Sequence, residues 1–394
     1  MIKITDKTKC CGCTACESIC PKNCITLKPD FEGFLYPSVD ESICVECGAC
    51  ERVCPIINKK AQKDEITASY IIRTKNDEQL MRSTSGGFSL PLAEIFFENG
   101  GVVWTATFNE NWQVVHACFE KAGKEFEKTY GSKYVQSNLK GVFKEIKQQL
   151  NLGRQVCFIG TTCQVYGLKS YLEKDPENLF TVDLVCHGTP SPKLWEKYLD
   201  YQRKEFASEF EEVNFRHKTY GYHSGTMMVK FENGKVYNGS ARVDYMLKSF
   251  FSEISSRPSC YSCAFKTVDR VSDFTVYDCW HAGELCSDIE DDDRGYTNLI
   301  VHTKKGARVL DRLSEKCNIY PVDTKRAIAA DGVMVCNSAT PHPKRRDYYV
   351  GLDNATIEEQ VQKFIPVTKK DHMIEKSKTL VYKLGLMDKA RSMK

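Results

Sequence analysis

The stretch CCGCTACESICP at residues 10–21 recurs as CVECGACERVCP at residues 44–55. Each copy spaces its cysteines C-x2-C-x2-C-x3-C and closes on proline, the run by which thiolates hold 4Fe–4S clusters. Three thiolates two residues apart wrap a tight loop around three corners of a cubane. The fourth sits one turn further on and points across to the other cluster. That exchange assigns Cys10, Cys13, Cys16 and Cys54 to one cluster, and Cys44, Cys47, Cys50 and Cys20 to the second. Gly12 and Gly48 relieve crowding where backbone approaches the sulfides. C-x2-C pairs also build zinc sites, but two complete four-cysteine runs, closed by Pro21 and Pro55, leave that reading little room. Cys11 and Cys24 fall outside the pattern and read as packing residues.

The rest of the composition is read outward from these runs. Of 20 cysteines, 10 lie in the first 54 residues. A reducing compartment keeps thiols free, so this density implies metal ligation rather than a disulfide framework. The chain has 394 residues, 42% of them hydrophobic and 11% aromatic, enough for two or three domains with real cores. No apolar run approaches the ~18 residues of a membrane span, and the start MIKITDKTKC has no apolar signal-peptide core. The expectation is a soluble, cytoplasmic protein. A net charge of +3 is too balanced for a general nucleic-acid binder, and bound thiolate clusters would make it more negative.

The composition shifts near residue 58. Residues 1–58 read as a bacterial-type dicluster ferredoxin domain, and the charged stretch 59–67 as a linker. The segment 68–365 reads as a larger body, and 366–394 as a basic tail with eight Lys or Arg against three Asp or Glu. In the body, SYIIRT, GGVVWTATF and QVCFIGTT read as strands, while LPLAEIFFEN and LKGVFKEIKQQL have helical apolar spacing. The fold class is α/β with α+β: a small dicluster unit, then a mixed-sheet body of three layers. The stretch VNFRHK through ARV at 213–243 reads as an antiparallel insertion, with Asn233-Gly234 as its hairpin turn. In the tail, Met373, Leu380, Leu384 and Met387 recur at helical spacing, with lysines largely on other faces.

Six further motifs follow in order: SGG at 85–87, GSKY at 131–134, GTTCQ at 160–164, VCHGTPS at 185–191, RPSCYSC at 257–263 and SDFTVYDCW at 272–280. Behind a dicluster start, this series resembles the coenzyme F(420) hydrogenase/dehydrogenase beta-subunit family over most of residues 1–350. On chemistry alone, Ser85, Gly86 and Gly87 precede a helix whose N-terminal N–H groups suit a phosphate. Gly131, Ser132, Lys133 and Tyr134 form a second turn with a hydroxyl and an ammonium. Gly160, Thr161 and Thr162 follow an apolar strand, where α/β sheets place ligand loops. The resemblance implies that these three loops hold FAD; taken alone, each reads better as an ordinary glycine turn.

The resemblance also implies a third 4Fe–4S cluster near the flavin, with Cys163, Cys186, Cys260 and Cys263 as its ligands. Cys279 is the rival, because this chain has Tyr277-Asp278-Cys279-Trp280-His281 where the family usually has Gly-Asp-Phe/Tyr-Trp-Gly. Cys118, Cys157, Cys286, Cys317 and Cys336 read as buried or incidental thiols. His187 and His217 are candidate proton donors beside a reduced flavin; structural histidines are the plainer reading. The acidic run 288–293 reads as a solvated loop.

A flavin converts between single-electron clusters and two-electron substrates. The implied activity is therefore an FAD- and 4Fe–4S-dependent oxidoreductase, ferredoxin-linked. It would couple cluster electrons to hydride transfer with a small organic substrate or a deazaflavin of the coenzyme F(420) type. The fused start looks most like family members associated with polysaccharide biosynthesis. Expected partners are a small-molecule substrate and a soluble ferredoxin or another redox protein. The alternative is an electron-transfer subunit that feeds a separate oxidoreductase.

Overall fold

The computed structural model describes residues 1–59 and 68–386. Most of the expected linker, and Met387 of the tail stripe, lie outside the described residues. The two cysteine runs each end in a short helix, Ala15–Ile19 and Ala49–Arg52. Between them β1 (Ile25–Pro29) pairs antiparallel with β2 (Leu35–Val39). The repeat extends to the backbone. Gly12 and Glu46 hold equivalent left-handed positions (φ 71° and 51°), as do Thr14 and Gly48 (φ 66° and 70°). Each loop needs two left-handed residues, and each copy uses glycine at a different one.

The body is built on an eight-stranded mixed sheet in the order β13-β3-β12-β11-β7-β6-β4-β5. These are β3 (Ala68–Thr74), β4 (Val102–Phe108), β5 (Val114–Phe119), β6 (Val156–Thr161) and β7 (Leu179–Leu184), with β11 (Phe274–Cys279), β12 (Tyr296–Val301) and β13 (Cys317–Val322). The central four, β4, β6, β7 and β11, run parallel. The flanking pairs are antiparallel. Side chains alternate between faces as strand geometry requires. Val103, Cys157 and Ile159 face the helices Ser89–Phe97 and Lys304–Leu313. Trp104, Val156 and Phe158 face Val142–Asn151 and Thr162–Leu172. Buried on both sides, the central strands read as continuous apolar runs, and the body has the three layers expected.

The insertion forms its own antiparallel sheet, β8 (Phe210–His217), β9 (Thr226–Phe231) and β10 (Val236–Ser240). Gly234 turns the β9–β10 hairpin at φ 81°. Its apolar face meets the helix Pro192–Phe206 in a core that also takes Phe34 and Tyr36 from the N-terminal unit. Glu32 there forms a buried ion pair with Arg345 at 2.6 Å. The composition break near 58 therefore marks a change of chemistry, while the core runs through it.

Candidate cluster sites and adjoining loops

Two hollows open beside the cysteine runs. One is lined by Cys20, Cys44, Cys47 and Cys50, with Cys24 at its wall. The other is lined by Cys10, Cys13, Cys16 and Cys54, with Cys11 beside them. The chain thus brings together the two crossed sets of four read from the spacing. Among the described residues no three Cys, His, Asp or Glu side chains converge on a single-ion site. Thiols arranged around a hollow fit a cubane. Burial pushes the Cys20 thiol up, but bonds from the Cys24 thiol and nearby backbone N–H groups outweigh it and hold Cys20 low. A donor set that favours thiolate is what a cluster ligand requires.

Cys163, Cys186, Cys260 and Cys263 form a third group. Each is raised in pKa, with burial the largest cause for all but Cys163, where contact with the Cys11 thiol leads. Cys186 feels the charges of Cys260, Cys163 and Cys263, and both Cys260 and Cys263 feel Cys163. Cys163 starts the helix Thr162–Leu172, and Cys186 lies just past β7. Gly188 permits the close approach of the 185–191 loop to the segment that carries Cys260, since a Cβ there would collide with Ser256 Oγ. Lys266 donates to Cys186 O and Met334 O, placing an ammonium beside the thiols. Cys279 lies elsewhere, packed with Ile71, Ala282, Ile289 and Tyr296.

The first and third groups adjoin. Cys11, expected to be a packing residue, interacts with the thiols of both Cys13 and Cys163. Beneath them Gly167 lets the helix Thr162–Leu172 reach Cys13, where a Cβ would lie 2.6 Å from Cys13 Cβ. Cys24 plays a comparable part at the other hollow, its sulfur 3.3 Å from that of Cys20. Neither role is written in the C-x2-C spacing. Cys118 and Cys286 are half-buried, Cys157 and Cys317 are core, and Cys336 is exposed.

Of the three glycine loops, two meet. The backbone N–H of Ser132 donates to Thr84 Oγ1 at 2.8 Å, tying 131–134 to 84–87. Gly86 packs flat on the sheet, where a Cβ would collide with Ile72 O, and its N–H donates to Thr297 Oγ1. That donor is committed within the protein. Two ammonium groups lie around this pair. Lys218 donates to Leu80 O, Ser85 O and Arg294 O, and Lys133 to Thr129 O and Gly131 O. All five acceptors are neutral, and burial lowers each ammonium to about 7. The third loop has different contacts. Thr161 and Gln164 form a capping box, Thr161 Oγ1 lies 3.3 Å from Cys163 Sγ, and Thr162 meets the buried Arg270–Asp183 pair.

Tyr134 stacks on Phe250 with centroids 4.5 Å apart and accepts from Arg216. Arg216 pairs with Asp278 at 2.9 Å and lies over the Trp280 ring, which stacks on Tyr222. The 277–281 segment, unusual in sequence, thus meets the 131–134 loop. His187 Nε2 bonds to Glu253, itself held at φ 58°, one residue from Cys186. His217 bonds to Thr219 within the insertion, and burial lowers its pKa. The acidic run is pinned rather than free: Asp292 pairs with Arg73, Asp291 with His223, and Asp293 accepts from the His223 N–H.

Residues 9–57 match a 4Fe-4S dicluster domain, and residues 153–325 match the family described as the C terminus of the coenzyme F(420) hydrogenase/dehydrogenase beta subunit. No curated protein matches the chain at a significant level. Among solved structures, the chain is similar to one in the F(420)-reducing NiFe hydrogenase complex from Methanosarcina barkeri. The two are 17% identical over 77% of this chain and 93% of that one, with a TM-score of 0.46. The chain thus combines a match to a 4Fe-4S dicluster domain with a match to the C terminus of the coenzyme F(420) hydrogenase/dehydrogenase beta subunit.

Proposed function

We propose that the chain is an iron–sulfur flavoprotein oxidoreductase with two clusters in its dicluster unit, a third in the body, and FAD. The observation that carries this reading is the gathering of twelve thiols into three sets of four, the first and third in contact across Cys11. Bound clusters supply single-electron transfer, and a flavin exchanges between one- and two-electron steps. The protein's own groups then have separate tasks. Cys10, Cys13, Cys16 and Cys54, and Cys20, Cys44, Cys47 and Cys50, hold the dicluster pair. Cys163, Cys186, Cys260 and Cys263 hold the third cluster.

Lys133 and Lys218 fit the diphosphate of FAD, because two buried ammonium groups with neutral partners favour an anion between them. Tyr134, Arg216 and Trp280 line the adjoining face. Cys47 is exposed, flanked by exposed Ile43 and Val45, so this side of the dicluster unit faces a soluble redox protein. The organic substrate, a small molecule or a deazaflavin, takes its place beside Trp280.

Anaerobic purification, an absorbance spectrum and acid extraction test the reading. The expected result is one non-covalent FAD per chain and cluster absorbance that a reduced ferredoxin bleaches. Zinc without acid-labile sulfide would overturn it. Full cluster content with no flavin would favour an electron-transfer subunit feeding a separate oxidoreductase.

A further inference from the structure

Arg257 lies at the seam between the first thiol site and the third, and its side chain is 1% exposed. Its Nε donates to Cys10 O at 2.7 Å, and its two terminal nitrogens to Gln136 Oε1 at 2.9 Å and Leu35 O at 3.0 Å. Every one of these acceptors is neutral. The rings of Tyr36 and Phe34 flank the guanidinium at 4.1 and 5.4 Å. A buried cation held only by neutral partners is costly unless negative charge lies nearby.

Two sources of negative charge border it. Cys10 lies in the first set of thiols, and Cys260, three residues along the chain, lies in the third. Cys260 is tied to Arg257 directly, its backbone N–H donating to Arg257 O at 2.9 Å. The packing is tight on the other side too. A Cβ at Gly12 would lie 2.5 Å from Gln136 Nε2 and 3.0 Å from an Arg257 terminal nitrogen. The Arg257 N–H donates to Thr189 O, which fixes the arm relative to the 185–191 loop.

We propose that Arg257 is a positioning residue. It clasps the first thiol site to the third and offsets the negative charge that both gather when thiolates hold their clusters. This rests on the proposed function, since it requires clusters at both sites. The arm ties the Cys10–Cys13 loop to the 257–263 loop, so the dicluster unit delivers electrons from a fixed seat. Were clusters held at these two sites, the fixed positive charge of Arg257 would favour their reduced form when a redox protein such as ferredoxin supplies the electron.

The test uses the full chain with its clusters, in the variants Arg257→Gln and Arg257→Lys. Midpoint potentials are read by EPR-monitored titration, and signals are assigned by their loss in Cys47→Ser, Cys13→Ser and Cys260→Ser. The expected result for Arg257→Gln is a shift to more negative potential at the first and third sites, with the Cys47 site unmoved. Arg257→Lys keeps the charge and restores the potentials, but loses hydrogen-exchange protection at residues 10–13, because one ammonium cannot reproduce the guanidinium fork. Three unmoved potentials in Arg257→Gln would overturn the charge role. Unchanged exchange in Arg257→Lys would overturn the clasp, and this second variant decides the matter if the first fails to fold. The iron content of the unsubstituted chain tests the proposed function separately, so the two readings fail on different measurements.

Discussion

Gly12 and Gly48 each stand beside the second cysteine of their run, one before it and one after, and their surroundings differ. Both are left-handed, at φ 71° and 70°, but a Cβ at Gly48 meets open space whereas one at Gly12 meets Gln136 and Arg257. Against protein atoms alone, Gly48→Ala carries the left-handed penalty of about 1 kcal/mol. Gly12→Ala adds a collision at a buried seam and costs more than about 2 kcal/mol. Thermal unfolding under anaerobic conditions orders the two; equal losses would show that the seam is loose. Lys133 gives a pH signature. The ligand-free chain sheds the Lys133 proton as pH rises through about 7, whereas a bound diphosphate keeps it. Binding then takes up a proton above that pH and weakens by up to about tenfold per pH unit. FAD titration by fluorescence quenching at about pH 6.5 and about pH 8.5 measures this. Lys218, also lowered to about 7, adds to the dependence in the same sense, so Lys133→Met should lessen it and leave the Lys218 share. Equal affinity at both pH values in the unsubstituted chain would place the diphosphate elsewhere.

At the scale of elements, the strands and helices of the body were legible because burial on both faces leaves long apolar runs, and glycines mark their ends. The β8–β10 sheet was legible through its Asn233-Gly234 turn. The junction was not. Gly167, Gln136 and Arg257 come from three distant segments, and no periodicity relates them to Cys11 or Cys13. The one available hint was an arginine directly before Pro258-Ser259-Cys260. The tail shows the same division. A helix runs from Lys369 to Lys383, with Thr368 and Asp371 forming its capping box. It touches the body through Glu375 on Ser240 and Tyr382 edge-on to Tyr220, while Met373, Leu380 and Leu384 are exposed. Removing residues 369–394 should cost about 1 kcal/mol, from the lost hydrogen bonds and ring contact. The thermal midpoint should fall slightly, with reduction by ferredoxin unchanged. Slower reduction confined to low salt would instead identify the exposed face as a docking surface.

In the whole molecule the dicluster unit is part of one body rather than a tethered carrier. Phe34 and Tyr36 sit in the core shared with Trp195 and Tyr198, and Arg345 pairs with Glu32 across the same boundary. The composition change near 58 could be read; the continuity of the core could not, because it depends on which apolar surfaces meet. The central claim is that twelve cysteines hold three clusters. Iron and acid-labile sulfide per chain, measured after anaerobic reconstitution of the unsubstituted protein and of Cys260→Ser, test it most directly. About twelve of each per chain are expected, falling to about eight in the variant with the dicluster signals intact. About eight in both proteins would contradict it.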